Sequence, residues 1–246
     1  MPIFKSLQPP IEMPWHLPVW TWLFDSEYSP MRHNKPEDIK GFTNALTKEH
    51  LSYVDLKAHS THLSTALAKN YGLLQGQTVA LFSPNTVWYP CAMFGILRAG
   101  GVVSGASPAY NVEEMTYALK TAEAKFLFTV PSSIQIASAA AKDAGIPQSN
   151  VFLLEGKLDG FTTMKELLEM GKKHGESGQI EQFRLPYGKK NKDVCGFLSF
   201  SSGTTGLPKA VVSLARQALP VPFMRVPPPC IKMAQPLPHP QSESRC

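Results

Sequence analysis

The stretch TVALFSPNTVWYPCAMFGILRAGGVVS, residues 78–104, decides the fold because it passes from strand to helix and back to strand. TVALF is a short apolar run that ends in a Ser-Pro-Asn turn, which predicts a buried strand. A helical stretch follows from about Thr86 to Arg98, and residues 101–104 form a second strand. This order predicts two parallel strands joined by a crossover helix.

The same alternation continues on both sides of this stretch. Upstream, Ser52 with Asp55 three residues later predicts the start of a helix that runs to about Tyr71. Downstream, Asn111 with Glu114 predicts another helix start. Further strands are predicted at 125–130 and 151–154, and further helices at 132–144 and 163–174. The sequence therefore predicts an α/β fold, a layered, parallel-rich sheet flanked by helices.

The composition is typical of a folded chain with a small net charge. The 246 residues are 43% apolar and 17% charged, which excludes a disulfide miniprotein and a disordered chain. The net charge is +5, but residues 214–246 hold four basic residues against one acidic residue. A nucleic-acid-binding body is therefore not indicated. The apolar residues 87–106 contain Arg98 and four glycines, so we expect buried helix and strand and no membrane span.

Three regions are predicted along the chain. Residues 1–50 form an extended leader rich in proline and tryptophan, residues 51–213 a partial globular domain, and residues 214–246 a proline-rich tail. In the leader, Trp15, Trp20, Trp22 and Phe24 are expected to anchor on the body, and a free terminus is the alternative. The four cysteines are far apart, which favours a reducing compartment, and prolines interrupt any secretory signal.

One segment carries specific chemistry, and it follows a predicted strand at 194–200. It is Ser201, Ser202, Gly203, Thr204, Thr205, Gly206, Leu207, Pro208, Lys209. Glycines let backbone N–H groups approach an anion, the hydroxyls donate further hydrogen bonds, and the lysine supplies countercharge. We predict a phosphate-binding loop, with a Ser/Thr/Gly-rich hairpin turn as the alternative. The common P-loop is excluded because Pro208 precedes the lysine and Ala210 follows it.

The string SFSSGTTGLPKAVV resembles the signature loop of the adenylate-forming, AMP-binding superfamily, in particular acyl-CoA synthetases and 4-coumarate-CoA ligase-like proteins. The resemblance extends over residues 11–213. It includes VALFSPN at 79–85, GILRAGGVVS at 95–104, SPAY at 107–110 and KFLFT at 125–129. Ala210 departs from the pattern, since a glycine is usual there.

The resemblance implies an acyl-CoA ligase. A carboxylic acid attacks the α-phosphate of ATP, and coenzyme A then captures the acyl-adenylate. Ser201, Ser202, Gly203, Thr204, Thr205 and Gly206 would hold the ATP phosphates, with Lys209 adding charge and Mg²⁺ neutralising the pyrophosphate. A helix should follow the loop in this fold, and the proline-rich tail cannot supply a long one. The implied partners are therefore a small carboxylic acid, ATP and CoA, with no nucleic acid and no membrane span.

The likeness stops after Ser213, and the later motifs of the family are missing. These motifs bind adenine, magnesium and ribose and provide the catalytic lysine. We therefore expect a truncated N-terminal part with little ligase activity alone. The alternative is a non-catalytic interaction protein or pseudoenzyme that binds ATP or a full-length relative.

The tail holds eight of the 22 prolines. It is either a polyproline binding segment or unselected sequence from a truncated, spliced or frameshifted reading frame, and we favour the second. The end Ser244-Arg245-Cys246 is not the S-K-L peroxisomal address. The location therefore stays open, with the cytoplasm as the default and the peroxisome as the alternative.

The remaining candidate residues have simpler interpretations. His59 and His62 are three apart on a predicted helix, but a metal site needs more ligands, so surface histidines are favoured. Cys195 is interpreted as a structural thiol. Trp88, Tyr89 and Phe94 are interpreted as core, and the basic run at 189–192 as solvated surface.

Overall fold

The computed structural model describes residues 14–201 and 209–214, and of residues 201, 209 and 212–214 only the backbone. The chain divides into two compact units. One covers residues 12–219, and the other consists of residues 1–11 and 220–246 and lies outside the described residues. The predicted tail therefore falls almost wholly outside the described part of the chain.

A seven-stranded sheet forms the centre of the described unit. The chain also forms a small antiparallel ribbon from β1 and β2. The strands are β1 (Phe42–Thr43), β2 (His50–Leu51), β3 (Thr78–Phe82), β4 (Val102–Ala106), β5 (Ala124–Thr129), β6 (Val151–Leu153), β7 (Thr162–Thr163), β8 (Cys195–Ser201) and β9 (Lys209–Leu214). The strand order is β7-β6-β5-β3-β4-β8-β9, and all pairs are parallel except β8 with β9. The predicted parallel-rich α/β sheet is confirmed.

Helices cover both faces of this sheet. They are α1 (Val19–Phe24), α2 (Pro30–His33), α3 (Tyr53–Tyr71), α4 (Trp88–Arg98), α5 (Val112–Thr121), α6 (Ile134–Asp143) and α7 (Met164–Lys172). One apolar cluster joins α1, α3, α4 and α7 to side chains such as Val103 and Phe128. A second cluster joins α5 and α6 to Phe82 and Leu127 on the opposite face.

Local signals in the sequence explain where the helices begin and end. The Asp55 N–H donates to Ser52 Oγ over 3.0 Å at the start of α3. Asn111 and Glu114 form a complete capping box at α5, as predicted. The α3 helix ends at Gly72, whose φ of 71° is a left-handed conformation that suits glycine.

One expectation is wrong. The leader is not extended throughout, because the proline-free segment VWTWLF after Pro18 forms α1. Its anchoring role is confirmed, since Trp20, Trp22 and Phe24 are buried. Directly after the glycine-rich loop the chain forms the strand β9. The expectation that the tail at 214–246 supplies no long helix concerns residues that lie almost wholly outside the described part of the chain.

Arg98 at the end of α4 fixes both the leader and the 175–193 segment. Its Nη1 donates to Ser64 Oγ over 2.7 Å and its Nη2 to the Ile180 carbonyl over 2.9 Å. The guanidinium also lies 5.6 Å from the centre of the Trp20 ring. Burial lowers the pKa of Arg98, with Asp25 acting in the opposite direction. The buried guanidinium of Arg98 thus links α1 and α3 to the segment that leads into β8.

Asn191 forms a second anchor, which the sequence did not reveal. It is buried within the otherwise exposed basic run at 189–192. Its Nδ2 donates to the carbonyls of Pro14 and Leu17, over 3.1 and 3.3 Å. The leader therefore contacts the chain just before β8. Within the described residues, no helix is long and apolar enough to cross a membrane.

Candidate functional site

The predicted phosphate loop lies between two neighbouring strands. β8 ends at Ser201 and β9 begins at Lys209, and these two residues are cross-strand partners. The connection thus joins two antiparallel neighbours, as in a hairpin. This is the arrangement expected if the segment were a Ser/Thr/Gly-rich hairpin turn, the alternative to a phosphate-binding loop. Residues 202–208 lie outside the described residues, so phosphate binding by Ser201, Ser202, Gly203, Thr204, Thr205, Gly206 and Lys209 stays a prediction.

The loop emerges at the carboxyl edge of the sheet, and the strand that leads into it, β8, pairs with β4. The chain runs from β3 through α4 to β4, and then from β4 through α5 back across β3 to β5. Since α4 and α5 lie on opposite faces, the segments after β3 and β4 turn to opposite faces of the sheet. Ligands of open α/β sheets bind outside the carboxyl ends of the strands.

The segments that follow β3 and β4 are held by their own polar side chains. The Trp88 N–H donates to Thr86 Oγ1 over 3.0 Å, which starts α4. The Ala109 N–H donates to Ser107 Oγ over 3.3 Å, which shapes the turn after β4. The oxygens of these two hydroxyls thus accept backbone N–H groups and shape the segments after β3 and β4.

One row of residues crosses the open end of β4, β8 and β9. Gly105 pairs with Ser199, and Ser199 pairs with Val211. Tyr89 extends from α4 to this row, since its hydroxyl lies 3.4 Å from the point where a Cβ on Gly105 would sit. Ser199 and Val211 are exposed, and Tyr89 and Gly105 are half-buried. From the sequence Tyr89 is interpreted as core, and no sequence signal marks Ser199.

The aromatic residues singled out from the sequence pack as predicted. Trp88, Tyr89 and Phe94 lie against the apolar cluster under α3 and α4. Trp88 Nε1 also donates to Glu49 Oε1 over 3.0 Å, which connects α4 to the segment before β2. Their rings therefore serve packing, and only the Tyr89 hydroxyl reaches the carboxyl edge.

His59 and His62 are half-buried on α3 and are not fully exposed histidines. The His59 ring lies 5.7 Å from that of Trp88. Burial lowers the pKa of both imidazoles, and for His59 the neighbouring Asp55 partly opposes this. Among the residues that the structure describes, no three His, Cys, Asp or Glu side chains come together as a metal site.

Cys195 begins β8 at the amino edge of the sheet, away from the loop. Its Sγ donates to the Phe197 carbonyl over 3.6 Å, and it lines a cavity of about 30 Å³ beside Trp20 and Gly100. Burial raises the pKa of this thiol. A thiol with a raised pKa is a poor nucleophile, which agrees with the structural role expected of it.

Comparison with protein families gives one match. The family described as AMP-binding enzyme matches residues 34–220, which is most of the chain. Among curated proteins, "4-coumarate--CoA ligase-like 1" of Arabidopsis thaliana is 31% identical over 219 residues. "Phenylacetyl-CoA ligase epaB" of Aspergillus niger is 30% identical over 219 residues. These alignments cover 88% and 82% of this chain but only 36% and 38% of the relatives.

Solved structures share the fold. An anthranilate CoA ligase in complex with anthranoyl-AMP superposes with a TM-score of 0.66 at 19% identity, covering 83% of this chain and 36% of the other. ATP-bound MatB from Rhodopseudomonas palustris gives 0.60 at 23% identity, covering 80% of this chain and 34% of the other. The chain thus spans about a third of the length of the proteins it matches.

Proposed function

Because this chain belongs to the AMP-binding enzyme family, we propose that residues 201–209 bind the phosphates of ATP. The supporting observation is the position of this segment, at the carboxyl end of β8, which pairs with β4 in the parallel sheet. Ligands of open α/β sheets bind outside the carboxyl ends of the strands. Its donor set fits a phosphate, since it offers hydroxyls, glycine amides and one ammonium, with no carboxylate to repel the anion.

Each part of the segment has a distinct role in this proposal. The hydroxyls of Ser201, Ser202, Thr204 and Thr205 and the amides of Gly203 and Gly206 donate hydrogen bonds to phosphate oxygens. Lys209 adds a positive charge, and as the first residue of β9 it is held opposite Ser201 by the backbone pairing. Fixed donors cost no reorganisation when charge develops on the leaving pyrophosphate.

The complete reaction that we propose is the activation of an organic carboxylic acid, as in the CoA ligases that the chain resembles. The acid attacks the α-phosphate of ATP and displaces pyrophosphate, which gives an acyl-adenylate. The thiol of coenzyme A then attacks the acyl carbon, loses its proton and displaces AMP. Mg²⁺ would supply charge neutralisation on the phosphates. This chain's own contribution is to bind and orient the phosphates, so we expect little acyl-CoA formation by the 246 residues alone.

Phosphorus NMR tests the proposal. When the purified chain is added to Mg·ATP, the β- and γ-phosphate signals should shift and broaden more than the α-phosphate signal. Unchanged signals with a folded sample would contradict phosphate binding. Strong acid-dependent exchange of labelled pyrophosphate into ATP would contradict the expected inactivity while supporting the family's chemistry.

The alternative is a non-catalytic protein that binds a full-length relative. It stays a prediction. Co-purification of the chain with such a relative, at a fixed ratio and without any ATP response, would favour it. A monomeric chain that responds to ATP would favour phosphate binding instead.

A further inference from the structure

Four neighbouring residues form what we call the edge row: Tyr89, Gly105, Ser199 and Val211. Gly105 and Ser199 are partners on adjacent parallel strands, which lie about 4.8 Å apart. Val211 is the partner of Ser199 on the other side. The Tyr89 hydroxyl lies over Gly105, where the missing side chain leaves room for the ring.

The edge row lies on the face of the sheet that α3 and α4 cover, near the carboxyl ends of β4 and β8, where this cover ends. Val103 and Phe197 are partners that pack into the cluster beneath α3 and α4. Since side chains alternate along a strand, Gly105 and Ser199 face the same way two residues later. Nevertheless Ser199 is exposed, and Val211 keeps 47% of its surface exposed. The cover provided by the helices therefore ends before this row.

Two uncharged hydroxyls face this opening. Burial raises the pKa of Tyr89, so its hydroxyl stays protonated at neutral pH and can donate a hydrogen bond. Among the described residues, no hydrogen bond to the side chain of Tyr89 or Ser199 is formed. The Tyr89 hydroxyl lies over Gly105, and Ser199 is the partner of Gly105 on the neighbouring strand, so a ligand oxygen above these two strands is near both side chains.

The distance from the edge row to the loop is short. Ser201 and Lys209, which close the loop, lie two residues beyond Ser199 and Val211 on the same two strands. At a rise of about 3.3 Å per residue, the row is roughly 7 Å from the mouth of the loop. A ligand group at the row would thus lie beside phosphates held by residues 201–209.

We propose that the edge row binds the carboxyl end of the organic acid that is activated. This inference rests on the proposed function and names a substrate contact for it. The hydroxyls of Tyr89 and Ser199 donate to a carboxylate oxygen, and Val211 provides an apolar wall for the adjoining carbons. Neutral donors hold the acid without forming a tight ion pair, which would weaken the carboxylate as a nucleophile toward the α-phosphate.

Two variants with matched controls test this inference. Tyr89→Phe and Ser199→Ala each remove one hydroxyl from the row. Tyr187→Phe and Ser177→Ala make the same chemical changes at exposed positions elsewhere. Binding of phenylacetate, 4-coumarate and octanoate is measured by ligand-observed NMR, with and without Mg·ATP. We expect each row variant to weaken binding of at least one acid roughly two- to tenfold, with the controls unchanged.

A second measurement needs no substitution. In the parent chain, the backbone amide signals of Gly105, Ser199 and Val211 should shift when an acid that binds the chain is added. Row variants that bind all three acids as tightly as the parent would overturn the inference, as would a parent that binds none. Amide shifts confined to residues outside the edge row would also overturn the inference. If Tyr89→Phe fails to fold, these shifts in the parent chain still test the inference. The response of the ATP phosphates is read separately, so failure of the proposed function remains distinguishable.

Discussion

β3 and β8 belong to the same sheet and have similar apolar sequences, TVALF and CGFLSF, yet their surroundings differ. All five residues of β3 are buried, with α4 on one face and α5 and α6 on the other. Along β8, Phe197 and Leu198 are half-buried and Ser199 is exposed. The central strand is thus sealed, whereas the strand that carries the loop is open at its carboxyl end.

The difference between the two strands indicates that the residues that stabilise the fold and the residues that can contact a ligand lie in different parts of the sheet. The residues of the sealed centre contact one another rather than solvent, and this burial of apolar surface stabilises the fold. The open end contributes hydroxyls, a glycine without a side chain and the entrance to residues 201–209. Substitutions near the centre should therefore lower stability, and substitutions at the open end should change binding alone.

The largest effect is expected for Phe128→Ala. Phe128 is fully buried on β5, and its ring lies 5.0 Å from that of Phe152. The cavity left behind should lower the free energy of unfolding by about 3–5 kcal/mol, as measured by urea denaturation. Ser199→Ala at the open end is the control and should stay within about 0.5 kcal/mol of the parent. An equal loss in the free energy of unfolding for the two variants would contradict the proposed difference between the buried centre and the open end of the sheet.

Arg98→Lys should come next. A lysine cannot donate to Ser64 and the Ile180 carbonyl at once in the geometry of the guanidinium. We expect a loss of about 1.5–3 kcal/mol in the free energy of unfolding. Hydrogen exchange should also accelerate at the Phe183 amide, which donates to the Arg98 carbonyl. Unchanged exchange there would show that Arg98 does not hold this segment.

A smaller effect is expected for Asn111→Ala, which removes the cap of α5. Asn111 lies near the carboxyl edge, but its side chain accepts the Glu114 N–H over 2.9 Å and serves the helix. Stability should fall by about 0.5–2 kcal/mol in thermal or urea unfolding. The response of the ATP phosphates should not change. A weaker response with unchanged stability would assign Asn111 to the ligand site instead.

The smallest effect is expected from pH. The folded state lowers the pKa of His59 and His62, so the unfolded state takes up protons at a higher pH than the folded state does. Stability is therefore complete above the usual histidine pKa of about 6.5 and decreases as the pH falls below it. The double variant His59→Gln and His62→Gln should show a smaller fall in Tm between pH 7.5 and pH 5. An equal fall in Tm would contradict this.

Much of the fold follows from local sequence signals. The apolar run at 78–82 and the cap at Asn111 are each recognised from a few adjacent residues, and the structure has the strand and the helix start that they predict. The helix bounds agree to within a few residues, because caps such as Ser52 and Thr163 lie one residue outside the helices they start.

The rest depends on contacts between distant parts of the chain. The leader folds as α1 because Trp20 and Phe24 find a surface formed by α3 and α4. Asn191 is buried only because Pro14 and Leu17 accept its hydrogen bonds. The edge row joins residues from α4, β4, β8 and β9, and only the pairing of these strands brings them together. No local pattern could have revealed it.

The central claim is that residues 201–209 hold the phosphates of ATP. Titration calorimetry with Mg·ATP tests it most directly, comparing the folded parent with Lys209→Ala and with Lys189→Ala, an exposed lysine in the basic run. We predict a saturable binding heat in the parent and in Lys189→Ala. In Lys209→Ala the affinity should be roughly ten- to a hundredfold weaker, because a charged hydrogen bond is lost. No binding heat in the parent, or equal affinity in the parent and Lys209→Ala, would contradict the account.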